Sequence, residues 1–184
     1  SDGRNGQLHL TTAYPSGGGF DERTAVVCLH PEAATGAWFK SLLPELGRER
    51  SVYAPDLPAH GYSDPAPGTV LGLADHVAAI GDFLDSMRLR AVDLVGHQFG
   101  ALIAAELAAE RPQQVRRVVL VSLPDQVPVA LAAASTSARP AAAASKPASV
   151  RLAAITQHSL LLYPADAPAN VKRLEPVQAH LAAS

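Results

Sequence analysis

The chain has a single cysteine in 184 residues, so no internal disulfide can form and no thiolate cluster can hold a metal. Cys28 lies within Ala25-Val26-Val27-Cys28-Leu29, with no cation or base beside it in sequence, and reads as a small buried hydrophobe. No uninterrupted apolar run approaches the ~20 residues that span a bilayer, and Ser1-Asp2-Gly3-Arg4 carries no apolar signal segment. The expectation is a cytoplasmic protein without a membrane partner. Charge of one sign is also scarce. The formal net charge is −2 and no dense Lys/Arg run occurs, which argues against nucleic acid as a partner. The histidines are dispersed, without a His-x-x-x-His pair beside a carboxylate, and Gly17-Gly18-Gly19 lacks the Lys-Ser/Thr of a phosphate loop. Neither a metal nor a cofactor is expected.

Apolar residues make up 48 % of the chain, enough for one domain with a sizeable core. Gln7 to Tyr14 alternates as an early edge strand does. Thr24 to Leu29 is a continuous apolar run, the mark of a strand covered on both faces. Ala37 to Leu46 reads as a helix with Trp38, Leu42, Leu43 and Leu46 on one side. After a short strand at Ser51–Ala54 comes a loop dense in turn residues, Pro55 to Asp64. Leu73, Val77, Ile80, Leu84 and Met87 recur at helical spacing. A strand from Val92, a helix over Ala101–Ala109 and a buried strand at Val115–Val121 follow. His158 to Tyr163 reads as a further buried strand, and Val171 to Leu181 as a closing helix interrupted by Pro176. Strands alternating with helices predict an α/β fold, a mostly parallel sheet with helices on both faces. Residues 1–123 form the core of this reading, 124–150 an Ala/Pro-rich lid or linker, and 151–184 a C-terminal part of the core. Ligands of such sheets bind beyond the carboxyl ends of the strands, which puts His30, Asp56, Gln98 and Leu123 on one rim.

The most informative stretch is Gly96-His97-Gln98-Phe99-Gly100. A strand meets a helix there, with glycine two residues either side of the centre. That frame holds a side chain on a strained turn, the glycines letting strand and helix backbones approach closely. In Gly-x-Ser-x-Gly the centre is a serine nucleophile. Here it is Gln98, whose carboxamide has no proton to lose near neutral pH but can donate and accept hydrogen bonds.

Four local matches, in order, resemble the α/β-hydrolase fold, in particular its epoxide-hydrolase and ester-hydrolase members. They are Val26-Val27-Cys28-Leu29-His30-Pro31, Ala54-Pro55-Asp56-Leu57-Pro58-Ala59-His60-Gly61-Tyr62-Ser63-Asp64, the elbow itself, and Arg111-Pro112 through Val121. The resemblance implies a shortened form of that fold with a reduced lid, since full members run to ~250–300 residues. It also implies a place for each catalytic part. Gln98 takes the nucleophile's position. The acid falls at Asp166, or else Asp166 is a solvated turn residue. The base falls at His180, or else His180 belongs to a terminal helix. The oxyanion donors are the backbone N–H groups of Phe99 and Glu32; Pro31 replaces the usual glycine, and Glu32 brings negative charge to where negative charge would develop. His30, Trp38 and Tyr62 are candidates to contact a substrate, with Phe39 and Phe99 either beside them or in the core.

Three functions follow from the resemblance: a small-molecule ester or epoxide hydrolase; a pseudo-hydrolase that binds a small hydrophobic molecule or a partner without cleaving it; and a lyase- or cyclase-type member in which Gln98 positions the substrate. A shortened sheet also leaves an open edge near 158–163, through which a homodimer is expected.

Overall fold

A computed structural model of the chain describes residues 2–3, 6–16, 23–64, 71–124 and 154–163. β1 (Asp2–Gly3) and β2 (Gly6–Gln7) form a short antiparallel pair. The main sheet comprises β3 (Leu10–Ala13), β4 (Ala25–Leu29), β5 (Val52–Pro55), β6 (Val92–His97), β7 (Val115–Val121) and β8 (His158–Leu162). Its order is β3-β5-β4-β6-β7-β8. β3 runs antiparallel to β5, and every other pairing is parallel. The helices are α1 (Leu43–Leu46), α2 (Leu73–Ser86) and α3 (Phe99–Glu110).

Helices cover both faces of the sheet. On one, α2 and α3 bury Val77, Ile80, Phe83, Leu84, Leu102 and Leu107 against Val27, Leu29, Leu94 and Leu120. Each such large side chain contributes roughly 1.5–3 kcal/mol on leaving water. On the other face, Phe39 and Leu43 pack on Val26, Cys28, Val52 and Ala54. This two-sided cover explains the continuous apolar run of β4. It also makes Cys28 inert: burial pushes its thiol up to about 12. α3 is apolar except at Glu106 and Glu110 because it is buried except along the line of Glu106, Ala109 and Glu110, and its small residues let it lie close to β4 and β6. α2 begins at Gly72, whose N–H donates to the Asp75 carboxylate at 2.7 Å.

Two expectations need correction. Ala37 to Leu46 is not one helix. Gly36–Phe39 forms a 3-10 turn, and α1 starts afresh with Pro44 in its first turn. A proline there loses nothing, whereas a helix running through it would lose a hydrogen bond. The break splits the supposed apolar side: Phe39 and Leu43 are buried, Trp38 and Leu42 exposed. Nor is β8 a buried strand. It is the last strand of the sheet among the described residues, and it alternates exposed with half-buried residues. Leu161 packs on the core while Leu160 and Leu162 face outward.

Candidate active site

β6 ends at His97 and α3 begins at Phe99, so the reversal between them is a single residue. Gln98 makes it at φ 49°, ψ −112°. A non-glycine residue held in such a region costs of order 1–3 kcal/mol and persists only where its surroundings dictate it. Here they do. The Gln98 N–H donates to the Val121 carbonyl at 2.9 Å, and its own carbonyl accepts from the N–H groups of Ala101 at 2.9 Å and Leu102 at 3.3 Å. The flanking glycines are demanded by contact. A Cβ on Gly96 would lie 2.3 Å from the Gly100 carbonyl oxygen, and one on Gly100 would lie 2.0 Å from that of Leu29. The elbow is thus the point where α3 is pressed onto the ends of β4 and β6, and it leaves the Gln98 side chain exposed.

Phe99 has its ring in the core, edge-on to His76 at 5.1 Å. Its N–H is the first of α3, where helix geometry supplies no acceptor and the helix dipole is positive. Glu32 sits in an exposed turn closed by the Ala34 N–H donating to the Pro31 carbonyl at 3.3 Å, with Ala33 at φ 59°.

Asp56 anchors the rim, a role the sequence reading did not give it. The side chain is 1 % exposed. One oxygen accepts the Gly36 N–H at 2.7 Å; the other accepts the Tyr62 N–H at 3.0 Å and faces His9 Nδ1 at 3.1 Å. Its carbonyl accepts the Ser63 hydroxyl at 2.7 Å, and Ser63 Oγ in turn accepts the His9 N–H. Gly61, at φ 56°, passes so close that a Cβ would lie 2.2 Å from the carboxylate. Two glycines drawn to one aspartate flanked by Pro55 and Pro58 were the available signal.

Three histidines meet edge to face in a row that ends on Phe99. His30 meets His60 at 5.4 Å, His60 meets His76 at 5.9 Å, and His76 meets Phe99. His30, expected to touch a ligand, is instead fully buried with both ring nitrogens engaged. Nδ1–H donates to the Pro31 carbonyl at 2.8 Å, and Nε2 accepts the Leu57 N–H at 2.8 Å. This fixes a neutral tautomer, and burial lowers the His30 pKa accordingly. Burial, then the neighbouring His60, lowers His76 to about 4; its Nδ1 has no hydrogen-bond partner among the described residues. His97 is also lowered by burial.

Trp38 lies beside the elbow, 56 % exposed, its ring stacked on His97 at 5.4 Å and 15°. Tyr62 is 84 % exposed, its ring edge-on to His9 at 5.2 Å. The structure therefore gathers Gln98, Phe99, His97 and Trp38. Asp166 and His180 lie outside the described residues, as do most of the lid segment 124–150 and the closing helix expected at 171–181.

The family profile described as the alpha/beta hydrolase fold matches residues 24–169. Over 99 residues the chain is 36 % identical to 2-hydroxy-6-oxo-2,4-heptadienoate hydrolase of Pseudomonas putida, a stretch covering 52 % of this chain and 36 % of that protein. It is 33 % identical over 117 residues to 2-hydroxymuconate semialdehyde hydrolase of a Pseudomonas species, covering 60 % and 39 %. The chain thus spans about two fifths of the length of these curated relatives. Among solved structures, an N-acyl homoserine lactonase superposes with a TM-score of 0.60 at 23 % identity, over 68 % of this chain and 44 % of that one. An epoxide hydrolase superposes with a TM-score of 0.56 at 21 % identity, over the same shares. At such identity these likenesses speak for the fold. With the profile match running from β4 through the elbow to β8, the chain belongs to the α/β hydrolase family.

Proposed function

We propose that the rim around Gln98 binds a small, largely apolar molecule carrying a carbonyl group, and does not cleave it by the family's nucleophilic route. One observation carries this reading: the elbow keeps its strained conformation while presenting a carboxamide. Attack needs a nucleophile such as a deprotonable hydroxyl or thiol or a carboxylate, and the Gln98 carboxamide is none of these. Its amide N–H and the Phe99 N–H are donors suited to a carbonyl oxygen, and Trp38 offers an exposed apolar face nearby. The names of the two curated relatives, an oxo-dienoate hydrolase and a semialdehyde hydrolase, denote carbonyl compounds and support that ligand class.

The test is binding and turnover of short aryl esters, lactones and epoxides by the chain, by Gln98→Ala, and by Gln98→Ser and Gln98→Asp. The expected result is binding without turnover, weakened about tenfold in Gln98→Ala for carbonyl ligands alone. Turnover by the unaltered chain would overturn the proposal. Activity gained in Gln98→Ser and abolished again by adding His180→Ala or Asp166→Ala would assign those two residues as base and acid.

A further inference from the structure

The amino ends of the parallel strands, opposite the elbow, enclose a cleft of about 220 Å³ lined by Arg23, Thr24, Arg50, Asp93, Arg116 and Arg117. We propose that it is a binding site for a small phosphate-type anion of two or more negative charges. Asp93 is the second residue of β6, so the cleft lies roughly 16 Å along the strand from Gln98 and is separate from the rim.

The arginines come from distant parts of the chain, and a backbone irregularity aims two of them. Val92 pairs with Val115, but Asp93 pairs with Arg117, so β7 carries one extra residue, Arg116, at this point. An extra residue breaks the alternation of side chains. Consecutive residues that should face opposite ways, Arg116 and Arg117, are both exposed and both line the cleft. Arg116 is steadied by Thr24 Oγ1 at 3.3 Å, and Arg50 reaches Asp93 Oδ2 at only 3.4 Å. Arg23 pairs with Glu49. Among the described residues, four guanidinium groups therefore stand against two carboxylates, Asp93 and Glu49, an excess of two positive charges.

Like charges held this close repel, and an anion that binds only the folded chain relieves the repulsion. Guanidinium forks match the oxygens of a phosphate in geometry as well as charge. Among the described residues the lining has no apolar side chain, which disfavours a hydrophobic ligand. The volume lies below that of sites for drug-sized molecules, which favours a phosphate or pyrophosphate over a nucleotide or peptide. Asp93 acts as a brace for Arg50, and its charge weakens anion binding.

The test is titration of the full chain with inorganic pyrophosphate and phosphate, with ionic strength held constant by sodium chloride and heat of binding as the readout. One saturable site is expected. Arg50→Ala and Arg117→Ala should each weaken it about tenfold. Lys40→Ala, the same charge change outside the cleft, should leave it unaltered, and Asp93→Asn should tighten it. Circular dichroism checks that the variants fold, and Arg50→Gln replaces Arg117→Ala if the latter does not. No saturable heat beyond that of chloride overturns the proposal. So does binding indifferent to Arg50 and Arg117, or weakened equally by Lys40→Ala. An oligonucleotide that binds and is not displaced by pyrophosphate would also overturn it, in favour of a nucleic-acid surface.

Discussion

At its carboxyl end β6 reverses within one residue, and every neighbour of that reversal is fixed by contact: Gly96 and Gly100 by backbone oxygens, Gln98 by three hydrogen bonds. At its amino end the same strand meets long arginines drawn from three separate segments, held by contacts of 3.3–3.4 Å. The first end is built by exclusion and tolerates almost no added atom. The second is built by charge, and its side chains can change with little effect on packing. Both lie on one buried sheet, so the contrast is one of local construction rather than of stability of the scaffold. A site that must hold a strained bend needs the steric kind. A site that must grip an anion needs only converging donors.

The contrast is tested most severely at Gly100. Gly100→Ala should cost about 3 kcal/mol or more in urea denaturation, because a Cβ would press on the backbone of Leu29 and His30 rather than on a movable side chain. A loss below 1 kcal/mol would mean that α3 can shift outward, and that the carboxyl end is not built by exclusion.

Next in size is a pH effect confined to the carboxyl end. His76 is buried, and its pKa falls from the ordinary 6.5 to about 4, so the fold favours the neutral ring. That contribution is complete above about pH 6.5 and is lost as pH falls toward 4. By pH 5 it should remove about 2 kcal/mol of stability. His76→Phe, which keeps a ring against Phe99, should flatten the stability profile between pH 7 and 5 by that amount. His30 and His97, shifted in the same direction, leave a residual slope. An unchanged profile in His76→Phe would show that His76 is not the group responsible.

The smallest expected effect concerns strain. Gln98→Gly should stabilise the chain by about 1 kcal/mol, since glycine adopts the observed dihedrals freely and part of that gain is returned as extra freedom of the unfolded chain. Loss of stability instead would mean that the Gln98 side chain makes contacts that outweigh the bend.

Much of the fold could be read directly. The continuous apolar runs of β4 and β7 and the helical spacing of α2 are local patterns that depend on which faces are buried, and each fell within a residue or two of its observed span. β8 misled because Leu160, Leu161 and Leu162 are apolar on both sides, so no alternation distinguishes an edge from a core. Across 37–46 the apolar spacing suits one helix, but Pro44 fits only a first turn, so the segment breaks into a 3-10 turn and α1. At the site, the one-residue elbow and its glycines were legible, whereas the burial of His30 and the gathering of donors on Asp56 were not. Those depend on partners 20 to 47 positions away.

The sequence alone determined the family, the mostly parallel sheet and the carboxamide at the elbow, because each is set by residues adjacent in the chain: buried strands, a bend, two obligatory glycines and Gln98 between them. Only the tertiary structure decided which polar groups meet. A chain with no dense run of basic residues acquires a cleft of four arginines because β4, β5, β6 and β7 bring their amino ends to one place and one extra residue in β7 turns Arg116 and Arg117 the same way. Backbone sterics act between neighbours and can be read along the chain. Electrostatics acts through space, and the fold must first bring the charges together.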